Sequence, residues 1–147
     1  MTDRGFRTLV LLHLIAVLAS AIVGVAFPEL LPESLTGAYQ AAEAESILER
    51  DWGWLLVVPL ALAALASYVG LLMFRQWGRS LALLTTVAGF ALAPVSGPVV
   101  ASWLESGLYD LSNTAWGAVL ALAYFGPISA RFGANNSSKP TPLRGAA

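Results

Sequence analysis

Four stretches of this chain contain no charged residue, and they constrain everything else about it. Between Arg7 and Glu29, Asp51 and Arg75, Arg79 and Glu105, and Asp110 and Arg131 there is no Asp, Glu, Lys or Arg. A helix needs roughly 20 mostly apolar residues to cross a hydrocarbon core of about 30 Å, and these stretches reach or approach that length. A soluble domain is about a quarter charged. At 12% charged and 57% hydrophobic, this chain has too few charges to cover a water-facing surface. The expected fold is therefore all-α: an integral membrane four-helix bundle of two antiparallel hairpins. One transmembrane domain covers residues 1–130, with spans at about 8–27, 53–74, 80–103 and 114–130. An outer loop, 28–52, carries a short helix, and a disordered cytoplasmic tail covers 131–147.

Charge placement orients the bundle. Lys and Arg in short loops favour the cytoplasmic side. Arg4 and Arg7 precede the first span, Arg75 and Arg79 separate the second from the third, and Arg131, Lys139 and Arg144 follow the fourth. Arg50 alone falls on the other side, together with Glu29, Glu33, Glu43, Glu45, Glu49, Asp51, Glu105 and Asp110. Both termini are thus expected inside. Interfacial aromatics agree: Trp52, Trp54, Trp103 and Tyr109 mark the outer ends, and Phe74, Trp77 and Tyr124 the inner ones. Arg4 and Arg7 before an apolar run also resemble a signal peptide, but the run nearly has span length and no polar segment precedes Ala26. The expectation is an uncleaved anchor.

In the outer loop, Pro28 and Pro32 end the first helix. Thr36 is placed to cap a short helix reaching about Arg50, rich in Ala and Glu. The turn Arg75-Gln76-Trp77-Gly78-Arg79 is so short that the second and third spans must form a hairpin, with Arg75, Trp77 and Arg79 at the depth of anionic headgroups. Small residues recur at a spacing of four, as in Ala16, Ser20 and Gly24, in Ala66 and Gly70, and in Gly89, Ala93 and Gly97. That spacing lets helix backbones approach closely in lipid, and marks Gly24, Gly70, Gly89 and Gly97 as helix-packing positions, within the chain or between copies. Pro94, Gly97 and Pro98 interrupt the third span near its outer end, whereas Pro59 reads as a proline at the start of the second.

Groups that do chemistry are scarce. No span contains a carboxylate, Lys, Arg, Asn or Gln, and buried charges are the usual mark of coupled transport. Cysteine is absent, so thiol redox chemistry and thiolate ligation are closed. The one histidine, His13, lies two turns into the first span. A metal site needs several ligands, so His13 is expected at a packed interface. An interfacial enzyme would require Glu49, Asp51 and Glu105 to converge. Neither catalytic, cofactor nor metal residues are assigned, and the chain is not expected to be an enzyme or to bind nucleic acid.

Leu71 through Arg79, and Leu122-Ala123-Tyr124-Phe125-Gly126-Pro127 with Arg131-Phe132, resemble small bacterial four-helix inner-membrane proteins with no assigned activity. The resemblance implies the same topology and a bacterial inner membrane, and no site. The functional expectation is a non-enzymatic membrane protein acting by association, as an accessory subunit or a small homo-oligomer, with lipid and membrane protein as its partners. The alternative is a small carrier or lipid-binding protein with a site beside the Pro94–Pro98 break.

Overall fold

A computed structural model describes residues 2–45, 52–96 and 100–133, apart from the side chains of 43–45 and 95. The chain is all-helical, with no strand among the described residues. Helix α1 spans Asp3–Ala26. The Thr2 hydroxyl caps it by accepting from the Gly5 N–H at 3.2 Å, and Asp3 sits where the helix dipole favours an acid. Pro28 forces Phe27 out of helical geometry (φ −130, ψ 58) and ends it. After a 3-10 turn at Pro28–Leu30, α2 runs Glu33–Glu45. It opens directly after Pro32, with Leu35 N–H donating to the Pro32 carbonyl at 2.8 Å. A proline lacks the N–H that would go unpaired at a helix start. Thr36 therefore lies inside α2 and is not its cap, and the expected extension to Arg50 lies outside the described residues.

Helices α3, Gly53–Leu72, and α4, Gln76–Leu92, form the expected hairpin. Pro59 sits inside α3 and not at its start, so α3 forgoes one helix bond there. The turn is a Schellman closure: Arg75 N–H donates to the Gly70 carbonyl at 2.8 Å and Phe74 N–H to the Leu71 carbonyl at 3.1 Å. Its left-handed position is held by Phe74 (φ 53) where glycine is usual. The backbone cost, about 1–2 kcal/mol, is offset by seating the Phe74 ring against Phe6 and Phe132, with centroids 5.6 and 5.5 Å away.

The third helix is shorter than the expected 80–103 span. It ends at Leu92 and passes into a 3-10 turn at Ala93–Val95, because Pro94 cannot continue an α-helix. Gly97 and Pro98 lie outside the described residues. Helix α5, Trp103–Tyr124, opens well before Thr114, where the fourth span was expected. Its start is fixed by a capping box: Ser102 Oγ accepts from Glu105 N–H at 3.2 Å, and the Glu105 carboxylate accepts from Ser102 N–H at 3.4 Å. Ser102→Ala should cost about 1 kcal/mol of stability, measurable by reversible unfolding in detergent. A sixth, short helix, α6 at Ser129–Gly133, takes in residues 131–133 and buries Phe132, and Arg131 pairs with Asp3 at 3.3 Å.

The four long helices pack as two antiparallel pairs, α1 along α5 and α3 along α4. Only α3–α4 is a hairpin of consecutive helices; the other pair joins the first long helix to the last. The expectation of two hairpins is corrected to this extent, because the break at Pro94 carries the chain away from α4 before α5 begins. One end of the molecule is basic (Arg4, Arg7, Arg75, Arg79, Arg131) and the other acidic (Glu29, Glu33, Glu105, Asp110). The apolar core sits at the basic end, where Phe6, Val10, Leu71, Phe74, Val119 and Phe132 are buried. Two helices, α1 and α3, are long and apolar enough to cross a membrane.

Candidate functional site

Just above the core, one polar and aromatic layer ties all four long helices together. His13 of α1 stacks on Trp116 of α5, with ring centroids 4.6 Å apart. Its Nδ1 lies 3.0 Å from the Ser112 carbonyl oxygen and 2.8 Å from Ser112 Oγ. A carbonyl can only accept, so Nδ1 carries the proton and Nε2 is left as an acceptor. The Tyr68 hydroxyl of α3, 2.7 Å away, donates to it. Trp116 in turn donates its indole N–H to Thr86 Oγ1 of α4 at 2.7 Å, and the Thr86 hydroxyl donates to the Ala82 carbonyl at 2.7 Å. Every polar atom of this layer is thereby paired, as burial requires.

Beyond this layer, toward the acidic end, contacts continue within the α1–α5 pair: Ser20 Oγ donates to the Glu105 carbonyl at 3.2 Å, and Ala16 is buried. Between the two pairs, openings flank the Thr86–Trp116 bond. One, about 350 Å³, lies beside His13 and Tyr68 and is walled by Val57, Leu60 and Ala61. The other, about 590 Å³, is a groove between α4 and α5. One wall carries Thr85, Gly89 and Ala93, the other Tyr109, Asn113 and Gly117, each set at a spacing of four and so on one helix face.

The positions singled out in the sequence fall in different settings. At Gly24 an added Cβ would come within 2.8 Å of Glu105 Oε1, so α1 and α5 approach closely there. Gly70 lies against the Gly78 backbone and the Trp77 ring. Gly78, which the sequence reading passed over as a turn residue, is the other half of that contact. The clue was its position eight residues after Gly70 across a tight turn. A Cβ added at Gly89 would meet open space among the described residues, and the same holds for Gly117. Gly97 lies outside the described residues, as do Glu49 and Asp51.

At the basic end Arg75 is exposed, and Trp77 is half-exposed with its ring edge at Gly70. Arg79 has partners within the chain. It is half-buried, donates to the Ala123 carbonyl at 3.4 Å and lies 5.2 Å over the Tyr124 ring. The last carbonyls of α5 have no helical donor and carry the negative end of its dipole, which draws the guanidinium inward. Tyr124 completes the clasp by donating its hydroxyl to the Arg79 carbonyl at 3.1 Å.

Sequence reasoning located His13 and left it without partners. Those partners come from three other helices, and no local pattern in the sequence pairs them. Comparison of the chain with protein-family models, with curated proteins and with solved structures gave no match.

Proposed function

We propose that this chain is a four-helix bundle of the bacterial inner membrane, with both termini in the cytoplasm, that acts by association with another membrane helix. Several features support the membrane setting. The apolar stretches of α1 and α3 are only 22% and 17% buried within the molecule, unlike the core helix of a soluble protein. Large apolar side chains such as Ile15, Leu55, Leu62, Leu84 and Phe90 are exposed along the helices, which lipid would cover. The basic end matches the cytoplasmic side.

The observation that carries the association reading is the α4–α5 groove. Gly89 and Gly117 line it, and a Cβ added at either would meet open space among the described residues. In lipid, helices associate through small residues that let backbones meet and through polar side chains that bond across. The groove offers both, with Asn113 and Thr85 among the small residues. Its small-residue faces suit a packed transmembrane helix, from a second copy or from a larger complex in which this chain is an accessory subunit.

Gly89→Leu and Gly117→Leu fill the groove from either wall without touching the described core. Each should reduce recovery of the associated chain from mild detergent by about tenfold, the equivalent of 1.4 kcal/mol, while the protein itself stays folded. Mass analysis of what copurifies then identifies the associated chain. Equal recovery with both variants would sink the reading.

One observation favours a second reading. At about 590 Å³ the groove is within the size range of small-molecule sites, and it lies beside the Pro94 break. A lipid or apolar molecule retained by the wild type and lost from the two leucine variants, with no second protein present, would make this chain a lipid-binding or carrier protein.

A further inference from the structure

A third cavity lies at the acidic end, away from the groove. It encloses about 280 Å³ between the end of α1, helix α2 and the start of α5. Its wall brings together the Glu105 carboxylate, the aromatic side chains Phe27 and Tyr39, and the polar side chains Thr36 and Gln40, with no Lys or Arg among the lining residues. Glu105 uses one carboxylate oxygen, Oε2, on the Ser102 N–H. The other, Oε1, lies over Gly24, where any Cβ would come within 2.8 Å of it. Gly24 thus makes the room in which the carboxylate stands.

We propose that this cavity binds an ammonium group: the headgroup of an aminophospholipid or a free small amine. A carboxylate with aromatic rings around it is the chemistry that recognises such cations, the carboxylate by charge-assisted hydrogen bonding and the rings through their negative faces. An anion would meet the Glu105 charge with no basic residue among the described lining residues to offset it. The surroundings add to the bias, since Glu29 and Glu33 lie on the segments that flank the cavity. The α5 N-terminus, which would otherwise favour an anion, is already occupied by the Glu105 carboxylate in its capping box.

The test uses the intact protein and Glu105→Gln. Glutamine at this position sustains a capping box as glutamate does, so the variant removes the charge and keeps the helix start. In one arm, labelled ethanolamine is equilibrated with detergent-solubilised protein. In the other, the protein is placed in nanodiscs of phosphatidylglycerol with increasing phosphatidylethanolamine, and the lipids it retains are identified by mass spectrometry. The wild type is expected to hold the ammonium compound in at least one arm, with Glu105→Gln weaker by about tenfold and Tyr39→Leu also weaker. Binding in the first arm identifies a free amine, and retention confined to the second identifies a headgroup. Equal binding by wild type and Glu105→Gln, or no ammonium compound held in either arm, overturns the proposal.

Discussion

Gly78→Ala should open the α3–α4 hairpin at its base. A Cβ at Gly78 would fall onto the Gly70 backbone and come within 2.7 Å of the Leu71 nitrogen. These neighbours are main-chain atoms on a neighbouring helix, and unlike the tip of a flexible side chain they cannot swing aside. Gly70 is also tied through its carbonyl to Arg75 N–H, in the closure that sets the turn. Moving α3 away from α4 therefore strains the turn and withdraws Leu71 and Phe74 from the core at the same time. Overpacking of a tight core costs about 1–3 kcal/mol; a backbone clash coupled to a turn should reach the upper end, about 3 kcal/mol. Gly117→Ala is the control, because its Cβ would meet open space. Reversible unfolding in detergent should separate the two variants clearly, and equal stability of Gly78→Ala and Gly117→Ala would contradict the close approach of the two helices.

His13→Ala should be comparably damaging, for a different reason. It removes the ring stacked on Trp116 and leaves the Tyr68 hydroxyl and Ser112 without their partner. A cavity of that size together with orphaned polar groups costs about 3 kcal/mol. Tyr68→Phe removes a single donor and should cost about 1 kcal/mol, in line with the modest net worth of most hydrogen bonds. The pair makes a double-mutant cycle. Once His13 is gone, the Tyr68 hydroxyl has lost its acceptor, so Tyr68→Phe should cost nothing further. The cycle should show coupling of about 1 kcal/mol. Strict additivity would mean that the 2.7 Å contact contributes no stability.

The remaining positions show how the two levels of information divide. Helix content and the approximate location of each long helix were legible, because hydropathy and charge act through local sequence alone. So was the α3–α4 hairpin, since the few residues of the turn allow no other path. The starts of α2 and α5 were misplaced although their signals were present: Pro32 marks the first and Ser102-x-x-Glu105 the second. The first was hidden by the choice of Thr36 as cap, the second by the weight given to uncharged length, which assigned Trp103–Asn113 to a span end and a loop.

Small-residue spacing located faces without saying what they face. Gly24 lies on the Glu105 side chain, Gly70 on Gly78, and Gly89 on open space, yet all three look alike in the sequence. Arg79 reads in the sequence as an interfacial charge, and nothing there shows its contact with the C-terminal end of α5, forty-four residues away in the chain.

What the sequence by itself determined is the set of helices, the basic and acidic ends, and the one hairpin, because each depends on neighbours in the chain. The tertiary structure alone decided that α1 pairs with α5, that His13 meets Ser112 ninety-nine residues away, and that Glu105 faces a cavity with Tyr39. Those outcomes depend on which surfaces meet once the helices pack, and contacts between distant segments leave no periodic trace in a single chain.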